Sequence, residues 1–280
     1  MKESRYVKVA HLAYQIAKQE LPLYSHPKSP HRYSFPQLAS CVILTFYLDM
    51  SYRDAEQWLL ATDKVCRALE LRQVPDHSTI CRAYARLTKA LMERMLNRLL
   101  SLLSIQEEII CLDTTGFRES QESAYYLSRT GRRYRSWRKG AYAVGAQSQM
   151  ILATGHGRGP GPDSVFLNYL KRKSSAWGKK EKGRRAWFCL ADSGFDGEGV
   201  SQLDIVPPIR RGGNIVSPDR VARRELVDQA RLDGLYGQRW KVETVISVIK
   251  RKFGDSIRSR KEVLKDREAD IKGLVYAFHR

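Results

Sequence analysis

The sequence is short of acid. Thirty Asp and Glu face forty-nine Lys and Arg over 280 residues, a net charge of +19. An excess of that size repels itself in a compact chain and points to a polyanionic partner. Long hydrophobic runs are missing as well. The most apolar stretch, Leu38 to Leu48, falls far short of the ~20 residues that span a bilayer, so no membrane role is expected. Met1 to Leu21 is amphipathic and lacks the continuous apolar segment of a signal peptide. Cysteine is sparse: Cys41, Cys66, Cys81, Cys111 and Cys189, with no CxxC pair. An odd set so spaced reads as small buried hydrophobes in a reducing compartment. The six histidines form no zinc pattern. The Gly155–Pro162 stretch, GHGRGPGP, does not match GxGxxG and no GKS/T follows it, which excludes dinucleotide and P-loop readings. An apolar share of 42% and an aromatic share of 10% exclude a collagen-like or fully disordered chain.

What is present changes texture along the chain. Residues 1–104 read as helical. Tyr6 to Glu20 has helical apolar spacing, Pro22 to Pro36 punctuate a loop, and Leu38 to Met50 is an apolar helix. Ser51 is placed to cap the next helix, and His77-Ser78-Thr79 to cap a long one through Leu87, Leu91, Met95 and Leu99. From residue 105 to 280 short apolar runs alternate with helical patterns, so this part reads as α/β. Glu108 to Leu112 is a buried strand ending at Asp113, with Thr114-Thr115-Gly116 as a turn. Tyr142–Ala146 and Met150–Thr154 read as strands, and Asp163-Ser164 as the cap of a helix through Leu170. Ala186 to Ala191 is a second apolar strand, ending at Asp192. Tyr236 to Phe253 reads as one strong helix.

Two apolar strands thus each end in an aspartate, and ligands bind at strand ends in open α/β sheets. Asp113 and Asp192 would converge if their strands are neighbours, and carboxylates gathered in one place suit Mg²⁺. Alternatively each Asp caps the turn that follows it. On the late helix, turning 100° per residue from Glu243 puts Tyr236, Arg239 and Lys250 within a stripe roughly 60° wide. Val242, Val245, Ile246 and Ile249 fall on the adjacent apolar face. The stripe alternatively is a solvated face with an Arg239–Glu243 pair, worth a few tenths of a kcal/mol.

Tyr236-x2-Arg239-x3-Glu243-x6-Lys250 resembles the Tyr-Arg-Glu-Lys signature of insertion-sequence DDE transposases, spacing included. Asp113 in IICLDTTG looks like that family's first catalytic Asp, and Asp192 in CLADSGFDG like its second. Asp163-Ser164, Leu48–Arg53 and Val74–Ile80 are similar to further elements of the group. The resemblance implies a ribonuclease-H-like catalytic domain over 105–280, preceded by an all-helical region over 1–104 that binds DNA ends. It implies Asp113, Asp192 and Glu243 as catalytic residues and ligands of two Mg²⁺ or Mn²⁺ ions. Such ions activate a water to free a 3′-hydroxyl, which then attacks target DNA by the same in-line geometry. The partners implied are double-stranded DNA, as terminal inverted repeats and as target, and a second copy of the chain in a dimer on DNA. The location implied is cytoplasmic and nucleoid-associated, in a bacterium or archaeon. Asp192 and Glu243 stand 51 positions apart, which leaves little room for a large inserted β domain.

Between Arg129 and Lys139 lie six Lys or Arg and no acid, with Tyr134 and Trp137 among them. Arg132, Arg133, Arg135, Arg138 and Lys139 are therefore expected as DNA-backbone contacts, together with Tyr236, Arg239, Lys250, Arg251 and Lys252. Trp137 either stacks on an exposed base or is an ordinary core or surface Trp. Two other classes remain open at this point: a metal-dependent nuclease without strand transfer, and a DNA-binding protein without catalysis.

Overall fold

A computed structural model describes residues 3–280 apart from 25, 27, 29, 120–128, 130–136 and 210–216. The chain divides into two compact units. The first comprises Met1–Leu103, Ile249–Gly254 and Asp270–Arg280, and the second Ser104–Val248 and Asp255–Ala269.

The elements described from Arg5 to Leu102 are helices: α1 (Arg5–Glu20), α2 (Phe35–Tyr47), α3 (Tyr52–Leu60), α4 (Asp63–Ala68), α5 (His77–Arg86) and α6 (Lys89–Leu102). Helix α2 is apolar on nearly every side and is buried as the centre of this unit, packed by α1 and α5. Its start is fixed by a reciprocal cap: Ser34 Oγ accepts from the Gln37 amide (3.3 Å) and Gln37 Oε1 from the Ser34 amide (2.9 Å). Ser51 caps α3 as the sequence predicts, accepting from the Asp54 amide at 3.2 Å. The long helix expected from His77 is two helices instead. Asp76 caps α5 through the amides of Ser78 (2.9 Å) and Thr79 (3.1 Å). The chain then turns extended at Leu87, and Thr88 caps α6 through the Leu91 amide at 3.4 Å. A threonine inside an apolar period acted as a stop and a new start. Of the cysteines, Cys41, Cys111 and Cys189 are buried as expected, whereas Cys81 is exposed. Among the described residues, no helix is long and apolar enough to cross a membrane.

The second unit is mixed α/β. Its strands are β1 (Ile109–Arg118), β2 (Trp137–Gly145), β3 (Ile151–Arg158), β4 (Lys180–Glu181), β5 (Arg184–Arg185), β6 (Phe188–Leu190) and β7 (Asp204–Ile205). Its helical elements are α7 (Leu167–Ser174) and α8 (Pro218–Leu232) with parts of α9 (Trp240–Phe253) and α10 (Glu262–His279). Among the described residues, five strands form one sheet in the order β3-β2-β1-β6-β7. The pairs β1/β2 and β2/β3 are antiparallel, and β1/β6 and β6/β7 parallel. Helix α7 packs on one face. On β2, Tyr142 donates to the carbonyl of Ala269 on α10 at 2.9 Å.

Strand β1 does not end at Asp113. It pairs with β2 from Ile110 to Arg118, so Thr114-Thr115-Gly116 is strand and not turn. The parallel neighbour β6 stops far earlier, its last pairing being Leu190 with Cys111. Asp113 therefore lies two residues past the point where β1 loses β6, which places it on a rim in mid-strand. Strand β3 likewise runs on to Arg158, through half of the expected Gly/Pro loop.

Candidate active site

The register brings the two aspartates to one rim. Cys111 lies beside Leu190, where β6 ends; two residues on, Asp113 is still in β1, whereas Asp192 has left the strand and caps a 3₁₀ turn. Asp113 is held by its own strand: Oδ1 accepts the Thr114 amide at 2.8 Å. Asp192 Oδ1 accepts the Gly194 amide at 2.9 Å, in a 3₁₀ turn over Ser193–Phe195.

The third acid arrives from α9, where the sequence predicts one continuous helix from Tyr236. The structure has a 3₁₀ turn over Tyr236–Arg239 and starts α9 at Trp240. A 3₁₀ turn advances roughly 120° per residue, so the single-helix stripe holds for Glu243 and Lys250 and not for Tyr236. Tyr236 takes a different position, donating its hydroxyl to the carbonyl of Ala191, next to Asp192, at 3.3 Å. Burial, the largest cause, keeps that phenol above its ordinary pKa. The same 3₁₀ turn receives the thiol of Cys111, which donates to the Gln238 carbonyl at 3.6 Å. Arg239 bonds Glu243 directly through Nη2 and Oε1.

The electrostatics link these groups at Asp113. Burial pushes the Asp113 carboxyl up from 3.8 to about 6, and the negative charges of Asp192 and Glu243 add to the rise. The Thr114 amide and the Arg239 guanidinium oppose it. Asp192, Glu243 and Arg239 thus all act on Asp113 at one rim of the sheet. Glu243 is half exposed and turned onto Arg239. Among the described residues, no three His, Cys, Asp or Glu side chains close around a single point as a metal cage does. The donor set still fits a hard divalent cation: it is carboxylate oxygen throughout, and the repulsion felt at Asp113 is what a cation relieves.

The other expected contacts divide. Lys250 lies seven residues beyond Glu243 on α9, with Arg251 and Lys252 following. Arg251 is exposed, whereas Lys252 is half-buried, its Nζ 3.3 Å from His279 Nδ1 and over the Tyr47 ring at 5.3 Å. Arg132, Arg133 and Arg135 lie outside the described residues. Arg138 and Lys139 are not on an exposed basic stripe. Both are buried in β2. Arg138 bonds Glu119 (2.8 Å), Asp266 (2.9 Å) and Glu262 (2.5 Å), and Lys139 bonds Asp163 (2.5 Å). Their charges are answered inside the protein, where a phosphate cannot reach Arg138. Trp137 is half-buried, its ring packed against the backbone of Gly116.

Sequence reasoning missed Thr114, Gly194 and the real bonds of Asp163. Asp163 is no helix cap: it opens a 3₁₀ turn over Asp163–Phe166, and its carboxylate accepts from Thr114 and Lys139. No local signal marks those bonds, because the partners lie 49 and 24 residues away.

The family model described as Transposase DDE domain matches residues 104–278. No curated protein matches the chain.

Proposed function

We propose, from the premise that this chain belongs to the transposase DDE-domain family, that it cuts DNA at the ends of an insertion sequence and joins the freed 3′ ends to target DNA. The observation that supports the proposal is a buried Asp113 carboxyl raised to about 6, on which the charges of Asp192 and Glu243 also act. A basic protein that meets DNA has little use for three acids at one rim unless cations bridge them to phosphate. The mixed sheet supports the ribonuclease-H-like fold that the resemblance implies.

In this reading Asp113, Asp192 and Glu243 would hold two Mg²⁺ or Mn²⁺ ions. When bound, the ions supply an activated water or 3′-hydroxyl and stabilise the leaving oxygen. The chain's own residues do the rest. The Thr114 amide fixes the Asp113 carboxylate. Tyr236 braces the strand end that carries Asp192 through the Ala191 carbonyl. Arg239 exchanges Glu243 for a DNA phosphate, which its planar fork grips through two N–H groups, and that exchange frees Glu243 to face the aspartates. Lys250 and Arg251 add charge along the DNA backbone. The helices over residues 1–104 bind the terminal repeats, and two copies bring two ends together.

A cleavage and strand-transfer assay tests this. Labelled DNA carrying the ends of the element is incubated with Mg²⁺ or with EDTA, wild type beside Glu243→Ala. Metal-dependent nicks and joined products, both absent with Glu243→Ala, are the expected outcome. Nicks that never yield joined products would make the protein a nuclease. Tight binding with no cutting in any condition would leave a DNA-binding protein.

A further inference from the structure

Asp163 is the acid at this rim that the cleavage chemistry does not use. Its Oδ1 accepts from the Thr114 hydroxyl at 2.8 Å and from Lys139 Nζ at 2.5 Å. Thr114 and Lys139 share one face of the sheet, because Lys139 pairs with Gly116 and Thr114 is two residues along the same strand. Asp113 pairs with Tyr142 and so points to the other face. Asp163 therefore stands behind Asp113, across the strand. Thr114 joins the two: its amide holds Asp113 and its hydroxyl holds Asp163.

The second oxygen of Asp163 reaches toward Asp192. A Cβ built on Gly194 would lie 2.9 Å from Asp163 Oδ2 and 3.0 Å from Asp192 Oδ1. Gly194 thus packs closely against both carboxylates, and a larger residue there would displace one of them. Three residues on, a Cβ at Gly197 would lie 2.9 Å from Ser164 Cβ. The turn that carries Asp163 and the turn that follows Asp192 are packed backbone to side chain over their length. Lys139, which is buried, neutralises Asp163 and also donates to the Gly161 carbonyl. One carboxylate is bonded to the β1 segment bearing Asp113, bonded to β2, and packed against the turn bearing Asp192.

We propose that Asp163, paired with Lys139, is a positioning residue that sets the separation of Asp113 and Asp192 and so their grip on divalent cations. This rests on the reading of Asp113 and Asp192 as cation ligands. Asp163 touches neither DNA nor the reacting oxygens. Its charge holds Lys139, and its shape holds Thr114 and the Gly194 turn.

The test is Mn²⁺ binding by calorimetry on the full chain, with cleavage measured beside it. Asp163→Asn keeps an acceptor for Thr114 and the shape beside Gly194 while removing the charge that pairs with Lys139. Partners that orient ligating carboxylates typically govern roughly 10–100-fold in metal affinity, and a loss of that size is expected, with cleavage recovering as Mn²⁺ is raised. The double variant Asp163→Asn with Lys139→Met is expected to lose less than the sum of the two single changes, as a coupled pair does. Asp163→Asn that binds Mn²⁺ and cuts like wild type overturns the proposal. So does a variant that melts at lower temperature yet binds Mn²⁺ normally when folded, since the role would then be structural. If Asp163→Asn does not fold, Thr114→Val decides: weakened Mn²⁺ binding supports the link, and wild-type binding overturns it. Wild-type protein that binds no Mn²⁺ overturns the cation-site reading together with this proposal, whereas an effect missing only in the variants overturns this proposal alone.

Discussion

Around Arg138, each charge has an answer. Arg138, Lys265 and Arg158 meet Glu119, Glu262 and Asp266, with Lys265 bridging Glu119 and Glu262 at 2.8 Å each. Around Asp113, a few residues away on the same sheet, burial raises the carboxyl first, Asp192 and Glu243 add to the rise, and the Thr114 amide and Arg239 push back. Both groups sit partly out of water, where an unanswered charge is costly. The first network holds β2 to α10 within its unit and asks for nothing further. The second leaves a carboxyl raised to about 6, a cost that the fold keeps and that a cation, if bound as proposed, would relieve. Charge that is balanced by the protein reads as structure, and charge that is left unbalanced at a rim reads as a site.

The contrast can be broken by removing single side chains, and the largest effect is expected at the rim. Asp113→Ala, Asp192→Ala or Glu243→Ala should each bring cleavage to background while DNA retention in a gel-shift assay stays near wild type. Asp192→Ala that still cuts at the wild-type rate would remove it from the site. Next comes Arg138→Ala, which strands the buried carboxylate of Glu119. Breaking such a pair from one side costs about 3–5 kcal/mol, to be read from urea unfolding, and Arg138→Lys should recover little because one ammonium cannot reach three acids.

A smaller effect of opposite sign is expected for Asp113→Asn. The folded pKa of about 6 lies above the ordinary 3.8, so between those values the folded state binds more proton than the unfolded chain. Stability therefore falls as pH rises through that window. The variant should exceed wild type by on the order of 2 kcal/mol at pH 7 in EDTA, with the gap closing as the pH approaches 4. Cation binding by wild type should weaken as pH drops below about 6, because a proton competes with the cation for Asp113. The smallest effect belongs to Arg118 and Asp255, an exposed pair at 2.6 Å on the same sheet's flank. Arg118→Ala should leave the melting temperature unchanged in moderate salt, since solvent already screens that pair.

Much of the rim was legible in the sequence because buried strands announce themselves as short apolar runs, and the acids at their ends stand out. Asp113 and Asp192 were singled out that way, and Glu243 by the stripe it forms with Tyr236, Arg239 and Lys250; their part in catalysis is the proposal made above. What the sequence did not display are relations made by register. Thr114-Thr115-Gly116 looks like a turn and is strand, because β2 pairs with it to Arg118. Arg138 and Lys139 look like the end of a solvated basic run. They are buried because α10 brings acids from more than a hundred positions away and because Asp163 is waiting on the opposite face. The break between α5 and α6 was hidden in an unbroken apolar period, where Thr88 alone signals a new cap.

The most direct test of the unbalanced rim is thermal melting of wild type and Asp113→Asn at neutral pH, in EDTA and again in millimolar Mn²⁺. The expected result is that wild type melts below the variant in EDTA and rises toward or past it in Mn²⁺, while the variant shifts little, because an ion bound only by the folded state stabilises that state. Two proteins that melt alike in both solutions would contradict the claim that the charge at Asp113 is held open for a cation.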